Sequence, residues 1–231
     1  VGAYRPSRII PNSDIVDRIE SSDEWIRERS GIESRRFAGP DESVISMSEA
    51  ACRQALERSG ISMADVDAVI VATITYPFQT PSAATELIAL LGNPKAAAFD
   101  ISAACAGFCY GVGMASDLIR SGSANYVLVV GVEKLSDFTD PDDRGTAFIF
   151  ADGAGAVIIG PSESAGIGPT IWGSDATNRD AILMTPSWID LKNPESLGWP
   201  DISMQGQTVF RWAVYQMAPI ALEALTAAGL T

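Results

Sequence analysis

Residues 67–75 read DAVIVATIT, a nearly continuous β-branched run bounded by Pro77, and such a run is a strand buried on both faces of a parallel sheet. Working outward, MSEAACRQALERS at 47–59 places Met47, Ala51, Ala55 and Leu56 on one helical face, and Gly60 stops the helix. A second helix is expected over 82–91, entered through Pro81 and closed by Gly92. Residues 97–101 read as a short strand, 108–122 as a helix poor in charge, and YVLVVG at 126–131 as another fully buried strand. Residues 146–150 and 155–160 complete the set as antiparallel strands. Strands alternating with helices define an α/β fold.

Composition narrows the function. The 231 residues are 47% hydrophobic and 19% charged, which is globular and not disordered. A net charge of -13 offers nothing to a phosphate backbone, so nucleic-acid binding is not expected. No apolar run reaches about 18 residues and no basic segment precedes an apolar one at the start, so a membrane span and secretion lack support and a cytoplasmic protein is the default. Histidine is absent, which removes every Ser/His/Asp or Cys/His pair and every imidazole metal ligand from these residues, and no metal site is expected. The three cysteines, Cys52, Cys105 and Cys109, have neither zinc nor disulfide spacing and suit a reducing compartment.

Cys105 sits in DISAACAGF at 100–108, between a short strand and a helix. A strand-to-helix turn presents a side chain at the helix N-terminus, where unpaired N–H groups favour a thiolate and cradle an oxyanion. Small neighbours, Ala103, Ala104, Ala106 and Gly107, permit the tight turn. From this segment alone a nucleophile and a buried structural cysteine stand level. Cys109, one helical turn on, reads as packing, and Cys52 as core. DGAGA at 152–156 does not read as a dinucleotide loop, because apolar Val157-Ile158-Ile159 follows where a helix should begin; a tight turn between strands is expected instead. Trp25, Arg29 and Arg144 form a further candidate group: an indole and a guanidinium can sandwich a purine while a second arginine pairs a phosphate, although each alone reads as surface. Ala55-Leu56 and Gly60-Ile61-Ser62 recur in spacing as Ala224-Leu225 and Gly229-Leu230-Thr231, a faint internal repeat, with 166–205 between them rich in Pro, Ser, Asn, Asp and Trp and read as a loop-rich connection.

Taken together, SSDEWIRERSGI at 21–32, Arg35-Arg36, ACAGF at 104–108, DRGT at 143–146 and FADGAGA at 150–156 resemble β-ketoacyl-acyl carrier protein synthase III, in the right order through most of the chain. The resemblance implies a thiolase-like fold, a five-layered α-β-α-β-α sandwich of two duplicated halves. It divides the chain into 1–165, the half with the nucleophilic cysteine; 166–205, the connection; and 206–231, the start of an incomplete second half. Val1-Gly-Ala-Tyr-Arg-Pro looks like the family's first strand.

The implied chemistry is the initiating condensation of type II fatty-acid synthesis: acyl-CoA acylates Cys105, then malonyl-acyl carrier protein is decarboxylated and attacks the thioester. The resemblance also implies a homodimer and no permanently bound cofactor, acyl-CoA serving as substrate. By motif, Trp25 and Arg144 match the pair that stacks on the CoA adenine, Ser21 a position contacting CoA, and Arg29 the arginine on its phosphates. Gly206, Gln207 and Phe210 fall where the pantetheine tunnel is lined, and Arg211 resembles a basic carrier-docking position, with Arg35 and Arg36 as further members of that patch. Thr80 matches a pocket-floor position donated across the dimer, where a bulky phenylalanine limits other members to short primers; a threonine leaves room for branched or longer ones. Phe150 is a second pocket wall. The histidine and asparagine of the second stage, and a glycine of the oxyanion hole, fall outside this chain in the resemblance. Alternatives are a priming ketosynthase or acyltransferase of polyketide assembly and a non-catalytic thiolase-fold partner subunit; the retained Cys105 argues against the latter.

Overall fold

The computed structural model describes residues 1–164, 166–193, 195 and 198–230. In chain order the elements are β1 (Gly2–Tyr4), β2 (Arg8–Pro11), α1 (Asp23–Ser30), β3 (Ser34–Phe37), α2 (Val44–Ser59), β4 (Ala68–Ala72), α3 (Ala83–Leu91), β5 (Ala97–Ile101), α4 (Gly107–Arg120), β6 (Val127–Lys134), β7 (Asp152–Ile159), β8 (Ile182–Thr185), β9 (Asp201–Met204) and α5 (Gly206–Ala227). They fall into two compact units. One comprises Val1–Ile9, Arg36–Leu135 and Ala151–Gly166; the other Ile10–Arg35, Ser136–Phe150 and Ile167–Thr231.

The first unit is a three-layer sandwich around a sheet of order β1-β7-β6-β4-β5. β4 lies parallel to both β5 and β6, β6 antiparallel to β7, and β7 antiparallel to β1. Every residue of β4 is buried, because alternate side chains enter opposite cores. Val69 and Val71 join Leu128, Val130 and Val132 beneath α2 and α3, while Ala68 and Ile70 join Val127 and Val129 against Ala115 of α4. The starts of α2 and α3 are fixed locally: Ser43 caps α2 in a reciprocal box with Ser46, and Ser82 caps α3 by accepting from Thr85 N. Gly60 and Gly92 end these helices at φ of 71° and 88°, a left-handed conformation that favours glycine.

DGAGA is not a turn. Residues 152–159 are one strand, and Ala154 and Ala156 are buried in the core that α2 covers. The close approach of α2 accounts for the small alanines on that face, and Gly153 and Gly155 alternate with them on the other. Residues 146–150 are likewise not a strand but a series of turns, with Thr146 O accepting from Ile149 N at 3.1 Å and Phe150 N at 3.3 Å. Asp143 sets this conformation: its carboxylate accepts from Gly145 N at 2.8 Å and Thr146 Oγ1 at 2.6 Å, outweighing the β propensity of the sequence that follows.

In the second unit, α1 is capped by Ser22, which accepts from Trp25 N at 3.1 Å, and ends at Gly31, φ 72°. Its Ile26 is fully buried. α5 has no buried residue. Trp212 ties it to the preceding segment by donating from Nε1 to Asp175 at 2.9 Å, and this hydrogen bond, after those from Thr177 and Asn178, helps hold the Asp175 carboxyl down at about 2. Gly229 beyond α5 takes φ 70°, close to the 71° of Gly60. Thr231 of the repeat comparison lies outside the described residues.

Candidate functional site

The chain leaves β5 at Ile101 and enters α4 at Gly107 through a short 3-10 turn, Ala104–Ala106, with Cys105 exposed at its centre. Ala104 stands at φ 44°, a left-handed conformation for a residue with a Cβ. A strained residue immediately before an exposed thiol is what a nucleophile elbow requires. The turn fits only because its neighbours are small. A Cβ on Gly107 would lie 3.0 Å from the Ala72 Cβ, and one on Gly111 would lie 2.8 Å from Val129 Cγ1, so α4 rests directly on β4 and β6. Phe108 packs over Gly131, where an added Cβ would be 3.2 Å from the ring.

The cysteines separate by environment. Cys52 is fully buried, and burial pushes its thiol up to about 12. Cys109 is exposed, against the expectation of packing, because α4 turns Gly107, Gly111 and Ala115 to the sheet and position 109 lies on the other side.

At the carboxyl edge of the same sheet, Ala72, Ile101 and Gly131 are in register. Thr73 N donates to Ile101 O at 3.2 Å, tying the segment after β4 to the strand that leads to Cys105. Thr80, at the exposed end of that segment, belongs to this unit.

The second unit holds the purine-sandwich candidates, and they come together. The Arg29 guanidinium carbon lies 4.7 Å from the Trp25 ring centroid and that of Arg144 lies 4.8 Å from it. Trp25 and Arg29 share a face of α1 by their i, i+4 spacing. The Asp143 turn delivers Arg144, and Phe148, which sequence reasoning missed, meets the indole edge-on at 5.3 Å. Ser21 Oγ is buried without a hydrogen-bond partner among the described residues. Phe150 is half-buried.

Gln207, Phe210 and Arg211 line one shallow concavity with Val214 and Tyr215, as their helical spacing on α5 dictates, and Phe210 is 71% exposed. Gly206 is the first residue of that helix. Arg35 does not join a docking patch. It is 5% exposed and donates to Phe148 O at 3.2 Å, Ile10 O at 3.3 Å and Asn12 Oδ1, so its guanidinium is consumed internally. Arg36 is half-buried and donates to Pro6 O at 2.8 Å. Among the described residues no group of three or more His, Cys, Asp or Glu could hold a metal, and no helix is long and apolar enough to cross a membrane.

An exposed cysteine directly after the strained Ala104, between the end of a strand and the N-terminus of a helix on a sheet with helices on both faces, is an arrangement that suits a thiolase-fold condensing enzyme. Residues 99–176 match the family model of 3-oxoacyl-[acyl-carrier-protein (ACP)] synthase III. The chain is 51% identical over 241 residues to β-ketoacyl-[acyl-carrier-protein] synthase III 1 of Streptomyces coelicolor, covering 100% of this chain and 70% of that protein. Among solved structures it is similar to the priming β-ketosynthase of the R1128 polyketide pathway (TM-score 0.97, 45% identity, 100% of this chain and 69% of that one). It is also similar to the Thermus thermophilus synthase III (TM-score 0.90, 37% identity, 100% and 71%). The chain belongs to the β-ketoacyl-acyl carrier protein synthase III family, the acyltransferases that carry out the initiating condensation of fatty-acid synthesis.

Proposed function

We propose that Cys105 is the nucleophile of this condensation and that acyl-CoA and malonyl-acyl carrier protein are its substrates. The exposed elbow with Ala104 at φ 44° carries the reading. The Cys105 sulfur attacks the thioester carbonyl of acyl-CoA, negative charge gathers on the carbonyl oxygen near the α4 N-terminus, and collapse expels CoA as its thiol. Malonyl-acyl carrier protein then loses CO₂, its α-carbon attacks the acyl-Cys105 carbonyl, the Cys105 thiolate leaves, and 3-oxoacyl-acyl carrier protein departs. With no histidine in these 231 residues, the imidazole of the second stage comes from outside them, and the family resemblance places its asparagine there too. Nothing in either stage calls for a resident cofactor.

Trp25 and Arg144 take the adenine between them, Arg29 and Ser21 contact the rest of the nucleotide, and Gly206, Gln207 and Phe210 border the pantetheine. Two stacking layers of about 3.5 Å each need more room than the 4.8 Å between Arg144 and the indole, so the Arg144 guanidinium swings out to admit the purine. Arg211, without Arg35, serves carrier docking. Phe150 bounds the acyl pocket, and a Thr80 donated across the dimer forms its floor and admits branched or longer primers. The edge position of β5 supports a homodimer in which a second copy extends the sheet, and a cytoplasmic location suits the free thiols.

The test follows CO₂ release and 3-oxoacyl product from acyl-CoA and malonyl-acyl carrier protein, using the protein as its gene encodes it. Cys105→Ala abolishes the 3-oxoacyl product and Cys109→Ala spares it; condensation surviving in Cys105→Ala refutes the assignment. The likeness to the R1128 priming ketosynthase favours one second reading, a polyketide acceptor. Relative rates with fatty-acid and polyketide carrier proteins decide between the two.

A further inference from the structure

The segment between β4 and α3 is held at both ends by carboxylates that the assigned chemistry does not use. At its start, Glu133, just past Gly131 on β6, accepts from Thr73 Oγ1 at 3.2 Å, Ile74 N at 3.0 Å and Thr75 Oγ1 at 2.5 Å. Thr75 Oγ1 in turn accepts from Lys134 N at 2.9 Å, closing the network back onto β6. Thr73 and Thr75 are 7% and 3% exposed and Glu133 is half-buried, so these hydrogen bonds are partly shielded from water. At its far end, Asp100 of β5 accepts from Ala83 N at 2.7 Å and Ala84 N at 2.9 Å, the first residues of α3. Between the two anchors, residues 77–80 are exposed.

A carboxylate can accept from all three donors with no proton of its own in the way. Burial pushes the Glu133 carboxyl up, and the donors from Thr75, Ile74 and Thr73 pull against that. Glu133 is half-buried, and withdrawing a carboxylate from water costs stability unless its lone pairs are filled, so the network favours one path for the chain leaving β4. That path carries Thr80 out from the sheet edge, from where, on the reading given above, it is donated across the dimer to the acyl pocket.

We infer that Glu133 is a positioning residue for acyl-chain selection, fixing the base of the 73–80 segment so that Thr80 is presented at one height to the pocket it bounds. The inference rests on the reading of Thr80 as pocket floor. Loosening the base lets the floor move, and discrimination between primers of different length falls.

The experiment measures kcat/KM for isobutyryl-CoA and for decanoyl-CoA in wild type, Glu133→Gln, Thr75→Val, Thr75→Ser and Thr80→Phe, each checked for folding by circular dichroism and thermal melting. The ratio of the two values shifts at least about fivefold in Glu133→Gln and Thr75→Val, a part of the 10–200-fold that a single methylene can command. Thr75→Ser, which keeps the hydroxyl, retains the wild-type ratio. Should Glu133→Gln not fold, Thr75→Val against Thr75→Ser decides, because the carboxylate is untouched in both. An unchanged ratio in the folded variants, or an equal loss with both primers, overturns the inference. If Thr80→Phe also leaves the ratio unchanged, the pocket reading itself fails; if Thr80→Phe alone shifts it, only the role of Glu133 is lost.

Discussion

Replacing Trp25 removes the platform on which a purine would stack, and the consequence can be worked from the geometry. Base–aromatic stacking is worth about 1–3 kcal/mol by alanine substitution, and a guanidinium over an exposed ring adds about 0.5–1 kcal/mol. Trp25 is half-buried and Arg144 exposed, which places both toward the middle or lower end. Taking about 2 kcal/mol for Trp25→Ala and about 0.7 kcal/mol for Arg144→Ala, kcat/KM for acyl-CoA falls about thirtyfold and about threefold. The difficulty is that Trp25 also packs edge-on against Phe148 at 5.3 Å, so a general loss of structure would mimic a loss of binding. Acyl-pantetheine separates the two, because it carries the same thioester without the nucleotide. In wild type acyl-CoA is the better substrate; in Trp25→Ala the advantage collapses while the rate with acyl-pantetheine holds. An equal loss with both substrates refutes the stacking assignment.

Gly111→Ala forces a Cβ to within 2.8 Å of Val129 Cγ1, and overpacking of this kind costs about 1–3 kcal/mol, read as a lowered melting temperature and as slower acylation if the elbow shifts with α4. Thr80→Phe confines acylation to short primers, measured by competition among acyl-CoAs; unchanged use of branched and longer primers contradicts the pocket assignment. Cys52, with its thiol pushed up to about 12, stays unmodified by a brief alkylation near pH 8, so native protein gains two adducts and denatured protein three by intact mass. The isolated 231 residues self-associate through the exposed apolar residues of α5, Phe210, Val214, Tyr215, Met217 and Leu222 among them, and a monodisperse monomer in light scattering opposes this.

Much of the first unit was legible because its signals are strong and mutually consistent. The run at 67–75 became the all-buried β4, residues 97–101 became β5 with the same bounds, and Gly60 and Gly92 ended their helices. The elbow was legible from its small residues, and the family resemblance separated nucleophile from core cysteine where local pattern alone could not. Misreadings arose where side chains act on backbone. Asp143 bends 146–150 away from a strand, and the small residues of DGAGA belong to one strand whose alanines, Ala154 and Ala156, lie under α2. Arg35 looked like surface charge, but three internal acceptors hold it. Glu133 left one available signal, an acid at the end of an otherwise apolar strand, yet the threonines that satisfy it lie about sixty residues away in sequence, and only folding brings them near.

Intact mass before and after incubation with a short acyl-CoA, followed by peptide mapping, tests the central claim most directly. One acyl group on the peptide bearing Cys105, absent from Cys105→Ala and unaffected by Cys109→Ala, is the predicted result. An adduct on Cys109, or none at all with the protein expressed from its complete gene, would contradict it.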